Sequence, residues 1–110
     1  MNYNMIFISF IILIASLSIL FIIRNAKVCQ FRIYILNMSY NHLNDYYENI
    51  DWDSIDWENS YKLHEEASSL YQRINAKYEY DEMLYSIKPL KLDKWFTEEE
   101  INFIEFGTLN

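Results

Sequence analysis

At 110 residues and a formal net charge of −7, the chain has material for one small folded unit beside a membrane segment, and not for two. The charge is unevenly divided: three bases (Arg24, Lys27, Arg32) and no acid precede Asp45, while six bases and all 16 acids follow from there, so +3 gives way to −10. A −10 unit repels phosphate backbones, which argues against nucleic acid as a partner.

The first element is Met5 to Ile23, MIFISFIILIASLSILFII, with no charge, Gly or Pro. As a helix these residues span about 28 Å, close to the ~30 Å hydrocarbon core of a bilayer. Inside lipid the backbone has to satisfy its own polar groups, so a helix is predicted throughout. Ser9, Ser16 and Ser18 can return their hydroxyls to carbonyls one turn back. A cleaved signal peptide is disfavoured: no basic residue precedes the run, and it ends in Phe21, Ile22, Ile23, Arg24 rather than in small residues. A core helix apolar on every face would need a larger protein around it. Residues 1–25 are therefore expected to be a membrane anchor and 26–110 an acidic helical domain. Arg24, Lys27 and Arg32 directly follow the span. By the positive-inside tendency they place the C-terminal domain in the cytoplasm and the short head across the bilayer, and they suit a membrane interface. A lone Cys29 leaves no internal disulfide and no need for an oxidising compartment.

From Ala26 to about Glu48 the helical pattern continues. Val28, Phe31, Ile35, Met38 and His42 form one stripe, and Leu36, Tyr40, Leu43, Tyr47 and Ile50 an adjoining one. Together they make a face that a single partner helix covers only in part. The near-repeat Ile50-Asp51-Trp52-Asp53-Ser54, Ile55-Asp56-Trp57-Glu58-Asn59 reads as an acidic turn with Asp53 or Ser54 as N-cap, because it lacks the Gly and the terminal Glu spacing of a calcium loop. Trp52 and Trp57 are expected to close the end of a helical hairpin.

A second long helix is predicted over 55–87, with Leu63, Ala67, Leu70, Ile74 and Tyr78 facing its partner, antiparallel to the first. The rise per residue brings it back to the lipid surface near Tyr78 to Ile87, and Pro89 is expected to stop it. Next come Lys88, Lys91 and Lys94 interleaved with Leu90, Leu92, Trp95 and Phe96. Such a mixture suits an interfacial anchor, with Lys88, Lys91, Lys94 and Trp95 at the headgroups; the alternative is that the apolar members cover the hairpin. Thr97 and Glu100 form a capping box, Phe96 and Ile101 fit a hydrophobic staple, and Gly107 suits the end of a short helix over 98–105 that buries Ile101, Ile104 and Phe103.

No catalytic or cofactor-binding motif appears, so neither enzyme activity nor a cofactor is expected. His42 and His64 lack the carboxylate spacing of a metal site. The stretch Met83 to Glu100, with its Lys-Pro-Leu-Lys-Leu, Trp-Phe and acidic-helix run behind a single N-terminal span, resembles uncharacterised small single-pass membrane proteins of bacteriophages. That resemblance implies a viral or phage setting and no known activity. The overall expectation is an all-α protein: a transmembrane helix continuing into an antiparallel helical hairpin, then a short C-terminal helix. Its role would be interaction or scaffolding, with the bilayer and another copy or another helical membrane-associated protein as partners. The competing reading is a phage lysis component resembling an inner-membrane spanin or holin regulator, which would put the acidic helices in the periplasm.

Overall fold

The computed structural model describes residues 2–77 and 79–109. Among these, five helices follow in the order α1 (Tyr3–Glu48), α2 (Trp57–Lys77), α3 (Tyr80–Leu84), α4 (Leu92–Trp95) and α5 (Glu98–Phe106), and there is no strand. The chain is a rod of 84 × 20 × 18 Å. Its length is mostly that of α1, whose 46 residues at 1.5 Å each extend about 69 Å.

The apolar run 5–23 and the helix expected after it are one element, with no break near residue 25. Asn2 caps α1, its side chain accepting from the Asn4 N–H at 3.2 Å. Ser9, Ser16 and Ser18 donate to the carbonyls of Met5, Ile12 and Ile14 at 2.8, 2.8 and 2.9 Å, as their spacing predicts. The two halves differ in what surrounds them. Every side chain from Asn2 to Ile23 is exposed, whereas Val28, Ile35 and Ser39 are buried further on. The stripe from Val28 to His42 is the one that packs. Of the adjoining stripe, Ile50 is buried, Leu36 and Leu43 are half-covered, and Tyr40 and Tyr47 stay exposed. Three elements, α2, α3 and α5, share the packed face of α1, which explains how a stripe too wide for one helix is covered.

Between α1 and α2 the acidic repeat makes tight local turns. Asp51 accepts from the Asp53 N–H, and the Ser54 hydroxyl oxygen accepts from the Asp56 N–H. The second helix starts at Trp57, two residues later than expected, and leaves Ile55 fully exposed. Trp52 and Trp57 lie 5.5 Å apart between ring centroids and both meet Tyr61 at 5.9 Å. Tyr47 meets His64 at 5.4 Å and Tyr40 meets Tyr71 at 6.4 Å, so a step of seven residues down α1 answers a step of seven up α2. Ala67, Leu70 and Ile74 of the expected stripe are buried; Leu63 is exposed, and Tyr78 lies outside the described residues.

The expected helix over 55–87 is interrupted. It ends at Lys77, resumes as α3 from an extended Glu79, and is finished by Tyr85, well before Pro89. Continuing the Ile74 stripe at helical spacing would bring Asp81 or Glu82 onto the buried face. Re-starting at Tyr80 instead puts both acids in a first turn, where the helix dipole favours them, and turns Met83 and Leu84 inward.

The core gathers Val28 and Ile35 of α1, Ala67, Leu70 and Ile74 of α2, Met83, Trp95, Phe96, and Phe103 and Ile104 of α5. The capping box is present: Thr97 Oγ1 accepts from the Glu100 N–H at 3.3 Å and Glu100 Oε1 accepts from the Thr97 N–H at 2.9 Å. Phe103 has no exposed surface. Arg73 ties α2 to this end by reaching Glu99 at 3.1 Å. At the other end of α5, Gly107 adopts φ +71° and its N–H donates to the Phe103 carbonyl at 2.9 Å. Its own carbonyl accepts from the Tyr46 phenol at 2.6 Å. Burial, with Glu66 nearby, pushes the Tyr46 phenol above its ordinary value, so it stays a neutral donor.

Gly107→Ala is expected to destabilise the packed unit. The left-handed backbone alone costs an L-residue about 1–2 kcal/mol, and the added Cβ would stand 2.6 Å from His42 Nδ1 and 2.9 Å from its Cγ. Denaturant unfolding of the full chain in detergent micelles checks this; a variant as stable as the parent would show that neither the left-handed backbone nor the His42 contact constrains this position.

Candidate membrane interface

The apolar half of α1 ends at Ile23, and the next residue reaches to segments far along the chain. The Arg24 guanidinium donates to the Met83 carbonyl from Nε at 3.2 Å and from Nη2 at 2.7 Å, and Nη2 also donates to the Lys88 carbonyl at 3.0 Å. The planar fork suits this arrangement, because several donors leave it in fixed directions. The Met83 carbonyl is one of the last of α3, which a helix end leaves without an internal partner. One cation thus pins both ends of the turn 84–87.

Two more contacts set the level of that turn along α1. The Phe21 and Tyr85 rings lie 6.4 Å apart, and the Cys29 thiol donates to the Tyr80 hydroxyl at 3.7 Å. Burial against α1, with the Cys29 contact adding to it, pushes the Tyr80 phenol above its ordinary value. The chain then runs back: Leu90 lines a groove with Lys27, Gln30, Phe31 and Tyr34, and Phe96 a crevice with Arg32, Ile35 and Leu36. Residues 84–87 are therefore the apex of the folded part, level with the end of the apolar half of α1.

The basic and aromatic residues expected at an interface fall into different roles. Arg24 is half-buried and committed to the turn; Lys27, Lys91 and Lys94 are exposed, and Arg32 is half-buried. Lys88 is exposed, its Nζ 4.7 Å from the centre of the Trp95 ring. Trp95 itself turns inward. It is 3% exposed, and its indole N–H donates to the Pro89 carbonyl at 2.9 Å, which removes the polar cost of burying it. Trp95 and Phe96 both belong to the buried cluster. Within the turn 84–87 the exposed apolar side chains are Tyr85, 74% exposed, and Ile87, fully exposed. Reach along the helix pointed to this stretch, but both residues were absorbed into a helix that in fact stops at Leu84.

The histidines have separate surroundings: His42 packs edge-on to Phe103 at 6.1 Å, and His64 lies against Tyr47 and Tyr61. Among the described residues no group of three or more His, Cys, Asp or Glu stands close enough to hold a metal. A cleft of about 240 Å³ beside the Arg73–Glu99 pair is lined by Glu66, Ser69, Leu70 and Leu109; both partners of that pair are about half exposed, so it adds little stability.

Compared with known proteins, the sequence matches no family model, no curated protein and no solved structure. One long, uncovered, apolar helix near the N-terminus is long and apolar enough to cross a bilayer.

Proposed function

We propose that this is a single-pass membrane protein without catalysis, whose segment 5–23 crosses the bilayer and whose acidic helical unit, 26–110, serves as an interaction or scaffold surface. In this reading α1 and α2 form an antiparallel hairpin whose open side receives another copy or another helical membrane-associated protein. The observation that carries it is the continuity of α1: one helix runs without interruption from a half whose described side chains up to Ile23 are all exposed into a half that organises the core. Leaving the 16 apolar residues of this run in water would forgo far more burial than a small domain can offset. The tie between Arg24 and residues 83 and 88 supports retention of the span, since its end is part of the folded unit. The bases at 24, 27 and 32 favour a cytoplasmic location for that unit.

Exposed aromatic and apolar side chains along α1 and α2, among them Tyr40, Tyr47 and Leu63, support the interaction role. Photo-crosslinkers in place of Trp52 and Leu63, activated in intact membranes, should yield adducts of discrete mass, either a dimer of this chain or one other protein. Only uncrosslinked monomer at both positions would defeat the interaction reading. A reporter fused after residue 110 should be active when it requires the cytoplasm; activity restricted to the outside would reverse the orientation.

A further inference from the structure

We infer that the turn 84–87 is a second point of membrane contact, with Tyr85 and Ile87 entering the interfacial layer of the same leaflet from which the span emerges. This rests on the proposed spanning role of residues 5–23. The partner is the lipid surface, and the reason is continuity: the turn is clamped to the residue that ends the apolar run. Arg24 places its charge at the headgroups, as a cation at the end of an apolar run does, and its guanidinium holds the Met83 and Lys88 carbonyls within 2.7 to 3.2 Å. The turn between those carbonyls then sits at headgroup depth.

Its side chains suit that depth. Tyr85 lies beside Phe21, a residue of the apolar run, and is otherwise largely uncovered; a phenol with an apolar body and a polar tip is the usual occupant of the interface. Ile87 is fully exposed. Lys88 follows with its ammonium available to anionic headgroups as well as to the Trp95 ring. A two-point attachment, by the span and by the turn, would restrict the tilt of the rod, because a helix held at one point alone is free to lean.

The test uses the full chain in vesicles of phosphatidylcholine and phosphatidylglycerol, in a Cys29→Ser background that retains a donor to Tyr80. An environment-sensitive fluorophore is attached in turn to Ile87→Cys, to Ile55→Cys at the distal acidic turn, and to Leu13→Cys within the span. Positions 55 and 87 are both fully exposed, so labelling them leaves packing intact. The expected result is emission at 87 shifted to shorter wavelength than at 55, loss of iodide quenching, and quenching by lipids carrying a shallow nitroxide. Iodide access at 87 equal to that at 55, with position 13 quenched by deep nitroxides, would overturn the turn contact and leave the span standing. Protection from iodide without nitroxide quenching would mean that protein covers the turn, and also overturns it. Failure of position 13 to meet lipid quenchers would remove the spanning role and this inference with it.

Discussion

Phe103→Ala should lower the folding stability of the acidic unit by about 3–5 kcal/mol while leaving the protein in the membrane fraction. Phe103 has no exposed surface and faces the His42 ring of α1 at 6.1 Å. It sits on α5, a helix of nine residues, too short to persist in water without tertiary contacts. Among those contacts, Phe103 and Ile104 bury their side chains, and Arg73 and Tyr46 hold the two ends through Glu99 and the Gly107 carbonyl. Removing the phenyl ring leaves a cavity where α1 and α5 meet, and a small domain with roughly 5–15 kcal/mol in all cannot absorb that loss unnoticed. The buried Trp95 supplies a fluorescence signal for a denaturant titration in micelles. A loss below about 1 kcal/mol would show that α5 does not pack as described.

Leu13→Arg combined with Leu17→Arg should release the full-length chain from membranes. Both positions lie near the middle of the run 5–23 and one turn apart, and the structure leaves both exposed. Each arginine at a helix centre costs about 2.5–3.5 kcal/mol of insertion free energy, so the pair costs roughly 5–7 kcal/mol. Mid-span placement also keeps either side chain from reaching an interface easily. The expected observation is that alkaline carbonate extracts the double variant and not the parent. The denaturant transition of the acidic unit should stay where it was, because no core residue lies before Val28. Carbonate resistance of the double variant would defeat the spanning role. A shifted transition at unchanged extraction would mean that the apolar half contacts the folded unit. With Phe103→Ala, the two results separate anchor from fold.

What the sequence by itself determined is whatever a short-range rule controls. The uncharged run 5–23 had to be helical from composition alone, and its serines had to bond back within one turn. Thr97 with Glu100 specified where α5 starts, and Gly107 where it ends, because capping involves only neighbours within four residues. The Val28 to His42 and Ala67 to Ile74 stripes were legible for the same reason: 3.6 residues per turn is a local property.

Only the tertiary structure decided matters in which one residue serves two distant segments. The break at Glu79 is one such case, since its advantage, keeping Asp81 and Glu82 off the buried face, depends on what that face packs against. Trp95 is another. Beside three lysines it has the pattern of an interfacial residue, yet the Pro89 carbonyl six positions away satisfies its indole and lets it join the core. Arg24 is the third: read locally it is a flanking charge, and in the folded chain it fastens residues 83 and 88, some sixty positions on. That long-range bond leaves Tyr85 and Ile87 as the uncovered apolar residues of the apex. Period and capping could not single them out, because exposure belongs to the assembled protein and not to any stretch of it.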